Sequence, residues 1–143
     1  LTDVTGVQTC ALPILGHVGD SRTYRFRNGE LKQLTHDHSL VQSMVDQGMI
    51  SPAEARRHSH RNVILRAVGI DKNLQLDLIK GKPLPGDIYL LCSDGLTDMV
   101  EDAAITAALA ADTPLAAKAD ACILLAKQAG GSDNITVVLS QIS

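Results

Sequence analysis

The sequence has 143 residues, 45% of them hydrophobic and 20% charged, which suits one globular domain and excludes a disordered chain. A net charge of −3 and an aromatic content of 2% leave neither a basic field nor stacking surfaces for nucleic acid. No apolar run approaches the roughly 18 residues of a membrane span, and Cys10, Cys92 and Cys122 have neither the even number of a disulfide framework nor metal-ligand spacing, so a cytoplasmic setting is expected.

The chain begins with Leu rather than Met and is expected to be a fragment. Residues 1–14 show no helical or strand period and lack the basic start of a signal peptide. Residues 6–14 look like translated adapter read-through, which makes 1–14 an artefact, apart from a makeshift strand over 12–18, and leaves 15–143 as the domain. From Tyr24 to Arg27, apolar and basic residues alternate as in a half-buried strand. Asn28-Gly29 is the strongest short hairpin signal, because both turn positions need positive φ, and residues 30–34 return as the partner strand. Ser39 then caps a helix that Gly48 stops. Ser51-Pro52-Ala53-Glu54 is a capping box with proline at the first helical position, which opens a second short helix to about His58.

Residues 62–68 are apolar and end at Gly69, and residues 74–79 alternate loosely enough for a strand. Pro85-Gly86-Asp87 is a turn signal before the unbroken apolar run from Ile88 to Cys92, which suits a strand buried on both faces. That run stops at Ser93-Asp94-Gly95-Leu96-Thr97-Asp98. Helices are expected over 102–110 and, capped by Thr113-Pro114, to about Ala129, where Gly130-Gly131 ends the second. Ile135 to Leu139 is a β-branched closing strand.

Asp94 stands at the end of one buried strand and Asp133 at the start of another. If those strands are antiparallel neighbours, both carboxylates share one sheet edge. Asp20 also ends a strand, and Asp98 follows Asp94 by one helical turn. Carboxylates gathered on a Gly-loosened edge can hold a hard cation, and without one they would repel. Each alone equally suits a turn or a helix N-cap near Leu96; three at one edge suit capping poorly. The five histidines read as surface or turn residues, His38 apart, and Cys92 reads as a small core residue. Arg22 suits either a phosphate contact or, better, an ion pair with a nearby Asp.

Gly19-Asp20-Ser21-Arg22, Thr35 with Asp37-His38-Ser39, Ser93-Asp94-Gly95-Leu96-Thr97-Asp98 and Asp133-Asn134-Ile135-Thr136-Val137 together resemble the PPM or type 2C metal-dependent protein phosphatases, of the bacterial kind that opposes Ser/Thr kinases. The resemblance runs from about Gly16 to Ile142, in order. It implies an α+β fold of stacked antiparallel β-sheets flanked by helices, with its amino-terminal part missing here. It implies Asp94 and Asp133 as ligands of a dinuclear Mn²⁺/Mg²⁺ centre, and Asp20 and Asp98 as ligands of a looser third metal. It implies phosphorylated protein substrates and hydrolysis by a metal-activated water. The family's amino-terminal half carries an Arg, further acidic ligands and an Asp-Gly-x-x-Gly motif whose Asp bridges the metals. None of these is among the 143 residues, so the isolated chain is expected to be inactive. A non-catalytic regulatory module that keeps the divalent site is the alternative. A haloacid-dehalogenase-like phosphatase, suggested by Asp94-Gly95-Leu96-Thr97, would need a second Asp where Leu96 stands.

Overall fold

A computed structural model describes residues 14–143; the expected artefact over 1–14 therefore lies outside the described residues except for Ile14. The elements are β1 (Ile14–His17), β2 (Arg22–Arg27), β3 (Glu30–Gln33), α1 (Leu40–Asp46), α2 (Pro52–Arg57), β4 (Asp77–Lys80), β5 (Ile88–Cys92), α3 (Asp94–Thr97), α4 (Asp102–Ala110), α5 (Leu115–Gln128) and β6 (Val137–Gln141). Two antiparallel sheets result, one of β1 and β4 and one of four strands in the order β3-β2-β5-β6. The antiparallel sheets flanked by helices are the expected fold class. No helix of the described residues is long and apolar enough to cross a membrane.

Local chemistry explains most boundaries. Asn28 and Gly29 both take positive φ, as a tight hairpin turn requires. Ser51 and Glu54 form the capping box reciprocally, with Pro52 at the first turn of α2. Ser39 caps α1 by accepting the Gln42 N–H. The long helix starts one residue later than Thr113-Pro114 suggests: Pro114 itself occupies the cap, with no side-chain bond.

Tyr24 pairs with Leu90 and Leu90 with Leu139, which aligns one face of the sheet beneath the helices. Tyr24, Ile88, Leu90 and Cys92 form a single core with Leu96, Val100, Ile105, Leu109, Cys122 and Ala126. The opposite face corrects the expectation that β5 is buried on both sides, because Leu91 is 38% exposed. There Thr23, Arg25, Tyr89 and Leu91 look across an open groove to Ile14, Leu15 and Ile79 of the smaller sheet.

Two buried charges fasten the frame. Arg27 grips Asp87 with Nε and Nη2, each 2.6 Å from a carboxylate oxygen, and Leu84 N–H donates to the same group at 2.8 Å. The Arg27 guanidinium holds the Asp87 carboxyl below its ordinary value. That link therefore persists above the range of an unfolded carboxylate and is lost only as pH falls through the lowered value. Lys118, buried within α5, donates from Nζ to the carbonyls of Leu109, at 2.6 Å, and Ala111. It thereby closes the C-terminus of α4, whose last carbonyls have no helical partner. Replacing Lys118 with Met keeps the apolar stem but leaves the Leu109 carbonyl without its donor, while the Ala111 carbonyl keeps the Thr113 N–H at 2.9 Å. The expected cost is about 2 kcal/mol, read from the urea midpoint; an unchanged midpoint would mean that water serves the Leu109 carbonyl equally well.

Candidate metal centre

The site lies where β2, β5 and β6 share an edge. Arg22 pairs with Cys92, and Cys92 with Val137. Two residues back from Arg22 and two residues on from Cys92, Asp20 and Asp94 therefore leave the sheet side by side. Asp98, the C-cap of α3, follows one turn later. Asp20, Asp94 and Asp98 line one cavity of about 210 Å³ together with Asp37, Arg56 and Arg61.

Asp133 reaches the same edge by a different route. It sits just before β6, outside that cavity, and its Oδ1 accepts the N–H of Asn134 at 2.7 Å. Ser93 Oγ donates to the Asn134 carbonyl at 3.1 Å and accepts the Thr136 N–H at 3.0 Å. Ser93 N–H also donates to the Thr136 carbonyl at 3.1 Å. The Ser93 hydroxyl is thus committed to the segment before β6, and it makes no cap bond to α3. These bonds also explain why β6 begins at Val137 rather than Ile135. Gly95 makes the contact possible, since a Cβ there would overlap the Asn134 carbonyl.

The electrostatics are those of an unneutralised acidic site. Burial raises the Asp20 carboxyl above its ordinary value, and Asp94, Asp37 and Asp98 push the same way. Burial and then Asp94 raise Asp98, against the pull of Arg61, Arg22 and Arg56. Arg61 Nε stands 3.7 Å from Asp98 Oδ2. Arg56 Nη2 is held by the carbonyls of Thr97, at 3.0 Å, and Val100, at 3.4 Å.

Arg22 is spent on Asp37: Nε lies 3.0 Å from both oxygens and Nη2 2.7 Å from Oδ2. The ion-pair reading of Arg22 is the one the geometry realises. Cys92 is a core residue, and burial pushes its thiol up to about 12. His17, expected at the surface, is buried together with His38. Arg56 and Arg61 were not singled out in the sequence, because they fall in a stretch without a motif. The capping box that fixes α2 was the one available signal for Arg56, since it sets the helix that carries it.

A carboxylate-only donor set suits a hard cation such as Mn²⁺ or Mg²⁺. Among the described residues, however, no three His, Cys, Asp or Glu side chains stand close enough together to hold a metal ion. The carboxylates present fit such a cation in kind and fall short of a complete set.

No family model matches the chain. It is 40% identical over 138 residues to the serine/threonine phosphatase stp of Listeria innocua, which covers 96% of this chain and 55% of that protein. It superposes on the Streptococcus agalactiae serine/threonine phosphatase with a TM-score of 0.86 and 39% identity, covering 91% of this chain and 54% of that one. With the catalytic domain of the serine/threonine protein phosphatase PstP, solved with two manganese ions, the TM-score is 0.74 and the identity 43%, over 93% of this chain and 56% of that one. The chain spans about half the length of the Listeria relative.

Two outcomes follow from the geometry. Gly95→Ala should cost about 1–3 kcal/mol by overpacking, because either α3 or the Asn134 segment must move; thermal unfolding that matches the unaltered chain would show that the contact is slack. Since Asp20 and Asp98 bind protons more tightly when folded, the cation-free chain should lose stability as pH rises from 3.8, the ordinary value of both, through their raised values. Asp98→Asn should flatten that slope in a pH series of melting temperatures; an unchanged slope, or an unfolded variant, would return Asp98 to a capping role.

Proposed function

Because the chain is related along nearly its whole length to the PPM-type serine/threonine phosphatases, we propose that it supplies one side of a metal-dependent centre that hydrolyses phosphoserine and phosphothreonine in proteins. The observation that carries this reading is the convergence of Asp20, Asp94 and Asp98 on one cavity, with Asp133 tied to the same sheet edge through Asn134 and Ser93. Asp94 and Asp133 hold the paired cations, and Asp20 and Asp98 hold a third more loosely. Mn²⁺ or Mg²⁺ at such a centre supplies a nucleophile from water and neutralises charge on the phosphoryl oxygens. The protein's own part is to fix the carboxylates. Burial makes the charged forms of Asp20 and Asp98 unfavourable, so a cation is favoured beside them. Arg56 and Arg61 bring positive charge to the cavity, the sign a phosphorylated side chain needs. The buried Cys92 thiol takes no part as nucleophile. The substrates are phosphoproteins made by a Ser/Thr kinase, met in the cytoplasm.

A second reading, a regulatory module that keeps a divalent site without turnover, is favoured by the spread of the carboxylates, since no three acidic or thiol or imidazole groups cluster among the described residues. One experiment separates the two. Supplied with Mn²⁺, the 143-residue chain should hydrolyse a phosphopeptide or aryl phosphate negligibly, because a two-metal clamp needs a ligand that sets a separation of about 3.5–4 Å. Joined to a family-like amino-terminal half, it should turn over in proportion to bound Mn²⁺, and Asp94→Asn should cut that rate by about a hundredfold or more. A joined protein that binds Mn²⁺ and stays silent would favour the module. Appreciable turnover by the chain alone, abolished by Asp94→Asn, would show that the cations need no further ligand.

A further inference from the structure

One set of polar contacts beside the site plays no part in the reading above. His38 is buried, and it grips Gly19 twice: its backbone N–H donates to the Gly19 carbonyl at 2.8 Å, and its Nδ1 accepts the Gly19 N–H at 3.1 Å. An accepting Nδ1 places the ring proton on Nε2, and Nε2 stands 2.9 Å from Asp77 Oδ2. Asp77 opens β4, opposite His17 in β1. The His17 ring lies against His38 with centroids 5.0 Å apart, and its own Nε2 donates to the His36 carbonyl at 3.0 Å. Arg66 Nη1 stands 3.5 Å from Asp77 Oδ1. The Gly19 N–H therefore fixes the tautomer of the imidazole, and Asp77 and His17 of the smaller sheet hold its position and tilt.

What it holds is the residue before Asp20. Gly19 has a φ of +106°, a backbone state open to glycine but costly for other residues. A Cβ at Gly19 would meet nothing within 4 Å. The two bonds from His38 hold its N–H and its carbonyl. Asp20 leaves this clamp directly into the acidic cavity.

We propose that His38, oriented by Asp77, is a positioning residue for Asp20: it fixes the Gly19–Asp20 backbone and so sets how tightly the Asp20–Asp98 site holds a divalent cation. The logic is that of a partner that orients a ligand from behind, where loss typically weakens the site by about 10–100-fold. The inference rests on the reading of Asp20 and Asp98 as cation ligands, and the experiment keeps the two apart.

The measurement is Mn²⁺ binding to the 143-residue chain by calorimetry, with a melting curve for each variant. His38→Asn places an amide oxygen where Nδ1 lies and can still accept the Gly19 N–H. His38→Gln reaches the place of Nε2 and can meet Asp77, but it leaves the Gly19 N–H without an acceptor. Expected are near-unaltered affinity for His38→Asn and a loss of about tenfold for His38→Gln, in the same binding event that Asp20→Asn removes. A folded His38→Gln that binds as the unaltered chain does, while Asp20→Asn is defective, would overturn the positioning role. Mn²⁺ binding that Asp20→Asn leaves untouched, or no binding by the unaltered chain, would defeat the ligand reading itself. Should His38→Gln not fold, Asp77→Leu decides: it keeps the imidazole but loosens its position and should weaken the same event, and unaltered affinity there would equally overturn the proposal.

Discussion

The site depends on how closely Gly95 lies against the carbonyl of Asn134. Two chain segments 39 residues apart in sequence, counting from Gly95 to Asn134, meet there with no room for a side chain. Ser93 fills the remaining hydrogen-bonding capacity on both sides. Because β5 and β6 are neighbours in register, this contact turns a sheet edge into a fixed junction. Asp94 and Asp133 then hang from its two sides. The junction fixes the backbone that carries each of them at this edge of the sheet.

The same edge shows which parts of the structure could be read from the sequence. The Asn28-Gly29 hairpin, the Ser51–Glu54 capping box and the Ile88–Cys92 strand each express a local preference that nothing in the tertiary structure overrides. Asp20 and Asp94 could be placed together because strand pairing transmits position over long sequence distances. What escaped was set by contacts without a local signature. Ser93 precedes α3 without capping it and is instead a cross-strand tie. The second face of β5 carries Tyr89 and Leu91, which are apolar enough to suggest full burial, yet that face borders an open groove. His17 gave no sign of burial, because its partner, the His36 carbonyl, belongs to the backbone. Arg56 and Arg61 enter the cavity only through the course of the 47–61 connection and the short helix α2 within it.

Charge distribution follows a clear division of labour. Asp87 and Asp37 are each met by an arginine in fork geometry, and both belong to the frame. Among the described residues Asp20 has no such partner, and Asp98 has only the longer contact with Arg61; both belong to the site. Frame carboxylates are satisfied within the protein, whereas those of the site are left in deficit. A fold that tolerates this deficit gives up some of its own stability for affinity toward whatever cation arrives.

Cys92 offers a last consequence. It lies two residues from Asp94 yet is 4% exposed, and its thiol is pushed up to about 12 by burial. At physiological pH almost none of it is thiolate, the form that peroxide and disulfides attack. The sulfur beside Asp94 is therefore shielded by the core and held in its less reactive protonated form. Oxidation at Cys92 is disfavoured for as long as this part of the core stays closed.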